Sequence, residues 1–446
     1  MRVLKFGGTS LRDAEWISKA LDIAEAQLDE GVVLVASAMA KTTNRLQEIA
    51  CRAEEGDFER AEYLIKDLES SHLVTAKDLL RGDLLNACSS ELNRLFAELS
   101  SVVKGLSLLK ERTSRSNDLI LSFGERLSTV IVANTANIRG METHLLDSRT
   151  FMKTDDNFTQ ANLIDDLTYR LIREQIDPRP NLLIVTQGFI ASTHDGTTTT
   201  LGRNQSDFTA IIIGAALSAE EVQIWTDVDG IMTSDPRLVS RASTIGTISY
   251  REAAELAHFG ARVIHPSTIQ PAVTHRIPVY VRNTGNPEGR GTKIVPGFPS
   301  EGPKAITFKR DITVINITSA RMLMAYGFLK AIFEIFERYE TPVDLIATSE
   351  VSVSMTIDDP VNLDLITRDL KELGIVSVEN DQSIICLVGQ DLWKNSEIIS
   401  RVFSTLQRVP IRMISLGSSD TNLSLVVPQT EVEKTVKCLH KEFFEK

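Results

Sequence analysis

The sequence is poor in the features that most readily betray a function. Its four cysteines, Cys51, Cys88, Cys386 and Cys438, are spread over 446 residues with no paired metal spacing. That argues against a disulfide framework or a cysteine zinc site and for buried thiols in a reducing compartment. The longest apolar run, near Ala210 to Leu217, falls far short of the roughly 20 residues that span a bilayer. The N-terminus lacks the apolar stretch of a signal peptide, so a cytoplasmic location is expected. Basic residues are outnumbered, 48 Lys and Arg against 60 Asp and Glu, for a net charge of −12. Nucleic acid and anionic membrane both demand a basic face, so neither is expected as the main partner. No Gly-x-x-x-x-Gly-Lys-Ser/Thr occurs, which excludes the Walker-type phosphate loop. What remains is an ordinary globular composition, 42 % apolar and 24 % charged, at a length that suggests two or three domains.

The first ten residues carry the strongest local signal. A short apolar strand, Met1 to Phe6, runs into Gly7-Gly8-Thr9-Ser10, and Ala14, Ile17, Leu21, Ala24 and Leu28 then recur at helical spacing. Strand, glycine turn and helix start together form an anion cradle, with backbone N–H groups and the helix dipole favouring negative charge. Lys5 adds a positive charge at the strand end. Alone, this pattern equally fits a tight strand–helix turn.

Up to about residue 295, β-branched runs alternate with helical periodicity: Val32–Ala36, Leu182–Thr186, Val222–Trp225 and Val279–Val281 read as buried strands. That rhythm predicts an α/β domain, a mostly parallel sheet sandwiched by helices, over residues 1–295. Residues 44–137 read as a helical insertion. Pro296 to Pro303, with three prolines and two glycines, reads as a linker. Beyond it come a strand at Ile312–Thr318, a helix at Gly327–Tyr339 with Phe328, Ile332, Phe333 and Phe336 on one face, strands at Val343–Ala347 and Val351–Ile357, a helix from Leu363, and a strand at Ile375–Val378. This βαββαβ order is ferredoxin-like. The remainder repeats it: strand Ile384–Val388, helix Ser396–Leu406, strands Ile411–Leu416 and Leu423–Val427, helix Val432–Phe443. The expected units are 311–380 and 383–446, and the second lacks a sixth element unless the two exchange strands.

Four further segments of the first domain stand where parallel-sheet loops bind ligands. They are Val35 to Asn44, Phe123-Gly124-Glu125, Thr200-Leu-Gly-Arg-Asn-Gln-Ser-Asp207, and Trp225-Thr-Asp-Val-Asp-Gly-Ile-Met-Thr-Ser-Asp-Pro-Arg237. Together with Lys-Phe-Gly-Gly-Thr-Ser and Phe259-Gly-Ala-Arg-Val-Ile-His-Pro266, in this order and followed by a duplicated βαββαβ tail, they make the chain resemble the monofunctional aspartate kinases of the amino-acid kinase family. The resemblance implies transfer of the ATP γ-phosphoryl group to the β-carboxylate of aspartate, giving 4-phospho-L-aspartate, with Mg2+ accompanying ATP and no ligand cluster identified. This is the first step toward lysine and diaminopimelate, threonine and methionine. Two anions must be brought together, so the residues needed are those that position and neutralise.

On this resemblance Lys5 clamps the phosphoryl group, and Asp207 orients Lys5 or that group. Gly7, Gly8, Thr9 and Ser10 hold phosphates, and Thr226, Asp227, Met232, Arg237 and Arg262 match nucleotide-side positions. Arg203 grips a substrate carboxylate, Glu125 pairs with the substrate ammonium, and Ser37, Thr43 and Ser206 line the amino-acid side. The competing readings are bland: Glu125 on the solvated side of its helix, Arg203 and Asp207 as a helix-cap pair, Asp229 as a turn former. Ser114, Ser116 and Thr197–Thr200 read as plain loop, and His265 as structural. Asn204-Gln205 replaces glycines common among relatives, Arg262 replaces a lysine, and Met232 a tyrosine. Arginine keeps the charge but presents a planar fork.

The paired tail units resemble ACT domains, and Met322, Gly327, Phe328, Leu329, Val343, Asp344, Ser349 and Glu350 match the lysine-inhibited type. Asp344 and Glu350 suit a cationic inhibitor; the competing reading has them solvating strand ends, and threonine is the alternative effector. A coupling of about 1–3 kcal/mol suffices for inhibition. Such units pair between chains, so a homodimer or homotetramer is expected. Two other functional readings stand beside this one: the same fold acting on glutamate, acetylglutamate or a nucleotide monophosphate, and a catalytically dead amino-acid sensor.

Overall fold

The computed structural model describes residues 1–202, 205–260, 266–297, 300–323 and 326–445. They form two compact units, one of Met1–Gly230 with Ser267–Pro296 and one of Ile231–Pro266 with Gly297–Lys446. Residues 231–266, expected within a 1–295 domain, thus group with the C-terminal half.

In the first unit, strands β1 (Arg2–Phe6), β2 (Val32–Ala36), β3 (Glu142–Leu146), β4 (Leu182–Gln187), β7 (Glu221–Thr226), β9 (Val279–Asn283) and β10 (Thr292–Val295) lie in the order β3-β4-β2-β1-β7-β9-β10. All pairings from β3 to β9 are parallel, and only β10 runs antiparallel. Every residue of β2 and β4 is buried, as expected of a sheet covered on both faces. A short antiparallel hairpin, β5 (Ile190–Ser192) and β6 (Thr198–Thr200), follows β4. Register places Phe6 opposite Ala36 and Trp225, and Ala36 opposite Gln187. Strand ends and the loops after them therefore share one edge. Helices α1 (Ala14–Glu25), α6 (Asp165–Gln175), α7 (Ser206–Leu217) and α9 (Pro266–His275) connect the strands, while α2 (Thr42–Glu54), α3 (Phe58–Leu79), α4 (Gly82–Leu109) and α5 (Ser114–Ile138) form the helical insertion. One core runs from β1 and β2 through all four insertion helices.

In the second unit, β8 (Thr247–Ser249) leads into α8 (Tyr250–His258) through a capping box, Ser249 with Glu252. Beyond these, β11 (Gly302–Thr318), β12 (Ile346–Thr348), β13 (Ser352–Ile357), β14 (Ile375–Gln390), β15 (Met413–Leu416) and β16 (Asn422–Pro428) form one antiparallel sheet, ordered β12-β13-β11-β14-β16-β15. Helices α10 (Phe328–Arg338) and α11 (Leu363–Leu370) cover one half, α12 (Ser396–Thr405) and α13 (Val432–Phe444) the other.

This sheet corrects the expected partition. The strands expected at 375–378 and 384–388 are one strand, so no boundary falls between 380 and 383. β11 starts at Gly302, not after 311, and its first half, Gly302–Lys309, pairs with Ile384–Gln390. That half supplies the strand the second repeat lacked. Register slips between Lys309 and Ile312, where Asp311 (φ 59°) and Asp381 (φ 54°) adopt left-handed conformations. A bulge thus lets one strand serve both repeats. Two smaller corrections follow. Phe333 is exposed and Ile335 takes its place inside. Val343–Leu345 is not regular strand, because Leu345 N–H donates to the Thr356 hydroxyl instead of a ladder carbonyl.

Candidate active site

Lys5 lies on β1 between Val35 and Ile224, with its Nζ 2.6 Å from Asp207 Oδ1 and both side chains only 12 % and 11 % exposed. Asp207 sits in the first turn of α7, where a carboxylate is favoured by the helix dipole. The turn after β1 is tight. A Cβ on Gly8 would stand 2.7 Å from the Ala38 carbonyl oxygen, and one on Gly7 3.5 Å from Lys5 Nζ. Only glycine fits at Gly8. The Gly7 amide, expected to face a phosphate, donates instead to the Trp225 carbonyl at 3.1 Å. Ser10 is likewise turned inward: it is buried and accepts from the Thr284 hydroxyl at 2.8 Å. Thr9 is exposed. A 3-10 turn, Gly8–Leu11, separates this turn from α1, which starts beyond the Asp13 cap.

Glu125 is 4 % exposed, which overturns the solvated-face reading. Its Oε1 accepts from the Ala38 amide at 3.1 Å, while Oε2 is buried with no hydrogen-bond partner among the described residues. Burial pushes its pKa up to about 8. The Ala38 peptide therefore touches Gly8 on one side and Glu125 on the other. Ser37, half-buried, donates its amide to Phe6 and receives the Ser128 hydroxyl on its carbonyl at 2.8 Å. Thr43 is half-buried in the first turn of α2.

Ser206 is buried at the start of α7, pressed against Gly188, where a Cβ would stand 2.6 Å from its own. Arg203 and Asn204 lie outside the described residues. Two residues that sequence reasoning missed support this edge. Gly188 is one; Asp118 is the other, fully buried and accepting from Thr159 N at 2.8 Å, Thr200 N at 3.0 Å and Thr200 Oγ1 at 2.7 Å. Burial nonetheless raises the Asp118 pKa. Thr198–Thr200, expected as plain loop, is thus the buried strand β6. Ser114 opens α5 and Ser116 N–H is capped by Thr113. An acidic residue inside the apolar run from Asp118 to Ala133 was the available signal for Asp118.

Of the positions expected at the nucleotide, Thr226 ends β7 in the first unit and its hydroxyl donates to Asp227, which is exposed. Asp229 accepts from Asn283 at 2.8 Å, as a turn former does. In the second unit, Met232 bridges Thr244, and Arg237, its side chain 88 % exposed, pairs with Asp235 at 2.7 Å. Arg262 and His265 lie outside the described residues.

Among the positions expected to bind the effector, Met322 packs against the core beneath α10, and Gly327 (φ 83°) caps that helix, whose first residues are Phe328 and Leu329. Val343 is half-buried, while Ser349 and Glu350 are exposed, Ser349 sharing a hydrogen bond with the Ser352 hydroxyl at 2.7 Å. The Asp344 side chain is 6 % exposed, so it does not solvate a strand end. Its Oδ1 holds Lys309 Nζ at 2.9 Å with His258 Nε2 at 3.8 Å, and its Oδ2 is buried with no hydrogen-bond partner among the described residues. Lys309 also reaches Asp358 at 2.6 Å. Among the described residues no group of three or more His, Cys, Asp or Glu gathers to hold a metal.

Comparison with known proteins places this geometry. The amino acid kinase family profile matches residues 1–283, and an ACT domain profile matches residues 385–443. The chain is 37 % identical to lysine-sensitive aspartokinase 3 of Escherichia coli over 456 residues, 99 % of each chain. The structure of E. coli aspartokinase III with aspartate and ADP (R-state) superposes at a TM-score of 0.85 with 35 % identity and full coverage of both chains. The same enzyme with lysine and aspartate (T-state) gives 0.81, again with full coverage.

Proposed function

The chain belongs to the amino-acid kinase family and, within it, to the aspartokinases, and from that premise we propose how its residues transfer phosphate from ATP to aspartate. The observation that carries the assignment is the shared Ala38 peptide, which joins the Lys5 turn to a buried carboxylate with one oxygen unpartnered. Glu125 takes the substrate ammonium, and Arg203 takes its α-carboxylate. The β-carboxylate oxygen attacks the γ-phosphorus and ADP leaves. The nucleophile is already ionised, so no general base is needed. Lys5 neutralises the transferring phosphoryl oxygens, and Asp207, 2.6 Å away, fixes the ammonium in place. Ser37, Thr43 and Ser206 line the amino-acid side. Gly8 and Thr9 approach the phosphates, and Thr226, Asp227, Met232, Arg237 and Arg262 serve the nucleotide. Gly7 and Ser10 shape the turn from within. Magnesium enters as the ATP complex, whose phosphates and waters supply most of its oxygen ligands.

The proposed site residues run from Lys5 to Arg262, and the two ACT-like repeats follow them in the sequence. The product feeds lysine and diaminopimelate, threonine and methionine synthesis in the cytoplasm, and lysine inhibits through Asp344 and its neighbours. The lysine-sensitive name and the lysine-bound structure of the E. coli relative support that choice over threonine. The working form is a homodimer or homotetramer.

The deciding experiment is aspartate-dependent ADP release with MgATP, with and without millimolar lysine. Turnover with aspartate and its loss on adding lysine is the expected result. Turnover with glutamate at equal kcat/KM would overturn the acceptor assignment, and indifference to lysine would overturn the effector.

A further inference from the structure

We infer that His440 and Glu445, at the far end of α13, are positioning residues for the nucleotide side of the reaction, because they pin the segment that carries Met232 and Arg237. The inference rests on the proposed nucleotide-side role of those two residues. The segment folds back on itself: Thr233 N–H donates to the Ser243 carbonyl at 2.9 Å, and Ser243 N–H to Thr233 Oγ1 at 3.0 Å. At one end of it, Thr233 Oγ1 lies 3.0 Å from His440 Nε2. At the other, Arg241 pairs with Glu445 at 3.1 Å. Glu445 joins the two ends, since its other oxygen is 3.0 Å from His440 Nδ1.

The imidazole is fully buried, so each of its nitrogens needs a partner. One proton arrangement satisfies every atom. Nδ1–H donates to the Glu445 carboxylate, Nε2 accepts the Thr233 hydroxyl proton, and Thr233 Oγ1 still accepts from Ser243. Between the two pins lie Asp235 and Arg237, so the pins fix where that ion pair stands. Apolar packing runs the same way: Val239 is buried in one cluster with Val432, Val436 and Leu439. A backbone bond from Ile306 N–H to the Thr233 carbonyl, 2.8 Å, ties the segment to β11 as well. The repeat sheet and its last helix therefore hold the segment in place alongside its own Thr233–Ser243 bonds.

The test uses the full-length chain and two variants. His440→Phe keeps volume and apolarity but removes both hydrogen bonds. Glu445→Gln, at a side chain 18 % exposed, keeps size and leaves the fold unstrained. Steady-state KM for MgATP and for aspartate are measured beside amide hydrogen exchange of 233–243. The expected result is a KM for MgATP raised roughly five- to tenfold in His440→Phe and less in Glu445→Gln, with aspartate KM and kcat within about twofold. Exchange at 233–243 quickens in both. Unchanged exchange in both variants overturns the pinning. A parallel rise of both KM values with a lowered Tm overturns it too, since that marks a merely structural role. Faster exchange with an unmoved MgATP KM overturns the nucleotide-side role of Met232 and Arg237 while the pins themselves stand.

Discussion

Two carboxylates, one in each unit, are buried to nearly the same degree and treated in opposite ways. Glu125 has one oxygen on the Ala38 amide and, among the described residues, no hydrogen-bond partner on the other. Asp344 also has one unpartnered oxygen, but its other oxygen already holds Lys309. An isolated buried charge is costly, and a protein either supplies a counter-charge or lets the group take up a proton. On the proposed assignment, the ammonium of the incoming substrate is the missing counter-charge at Glu125. At Asp344 the chain supplies its own. If both proposed sites hold, the Glu125 site gains from a cationic occupant, whereas the Asp344 site yields only to a ligand that competes with a resident lysine. A substrate site that must fill and a control site that must stay empty until effector accumulates would be expected to differ in this way.

The largest effect expected is at the third buried carboxylate, Asp207, which has a permanent partner. Lys5→Met removes both the charge on the phosphoryl group and the partner of Asp207. Loss of such an electrostatic contact lowers kcat by about 10²- to 10³-fold, with aspartate KM nearly unchanged, in the ADP-release assay. A loss shared equally by KM and kcat would instead show Lys5 to be structural.

Glu125→Gln sharpens the comparison next. It removes a charge-assisted bond worth about 1.5–3 kcal/mol, so aspartate KM rises roughly 10- to 100-fold. The same substitution stabilises the empty enzyme in alkali. The folded pKa of Glu125, about 8, lies above its ordinary value of 4.5, so the native state binds the proton more tightly than the unfolded chain. Stability from that proton is present below pH 4.5 and is lost as pH rises toward and through 8. Melting curves should put Glu125→Gln above the parent at pH 9 and level with it near pH 4. Aspartate affinity in the parent should improve as pH climbs through 8, and a flat profile would break the contrast with Asp344.

Asp118→Asn tests whether an enclosed carboxylate without any cation is always a ligand site. Here three N–H and O–H donors from Thr159 and Thr200 satisfy it. An amide in that place turns its NH2 toward a donor, leaving buried groups unpaired at a cost of about 1–3 kcal/mol. The expected reading is a Tm lowered by several degrees with little change in nucleotide KM. Unchanged stability would show that these donors do not need the charge.

How much of this was legible in the sequence depended on whether the signal was local. β2 and β4 were plain because burial on both faces leaves an unbroken apolar run. β3 was not, since Glu142-Thr-His-Leu-Leu146 is an edge strand whose outward positions are polar. β14 looked like two strands, and of β11 only Ile312–Thr318 was read as strand. The polar residues Lys309-Arg-Asp311 and Asn380-Asp-Gln382 mark a bulge inside continuous pairing, and bulge and loop have the same composition. At the site, Lys5, Asp207 and Glu125 were found by family resemblance. Their burial was not, because it comes from Ala38 and α7 folding over them. Lys309 escaped notice altogether, its partner Asp344 being 35 residues away.

That resident lysine is the subject of the smallest and most discriminating prediction. Lys309 is held protonated well into alkali: burial opposes its charge, but hydrogen bonds to Asp358 and Asp344 outweigh it and raise its pKa. Asp358 is half-exposed, whereas Asp344 is not, so the two carboxylates differ in what they give up when the lysine is removed. Lys309→Met leaves Asp358 to water and Asp344 as open as Glu125. A cationic effector then meets no competitor, and half-inhibition by lysine should come at a concentration lower by about three- to tenfold, equivalent to about 0.6–1.4 kcal/mol of coupling. Uninhibited kcat and aspartate KM should not move, since neither Lys309 nor Asp358 touches a reactant. Asp358→Asn loosens Lys309 without removing it, so the shift should have the same sign and be smaller. A shift of opposite sign in both variants would mean that Lys309 helps to build the effector pocket instead of filling it, and the two buried carboxylates would then be alike after all.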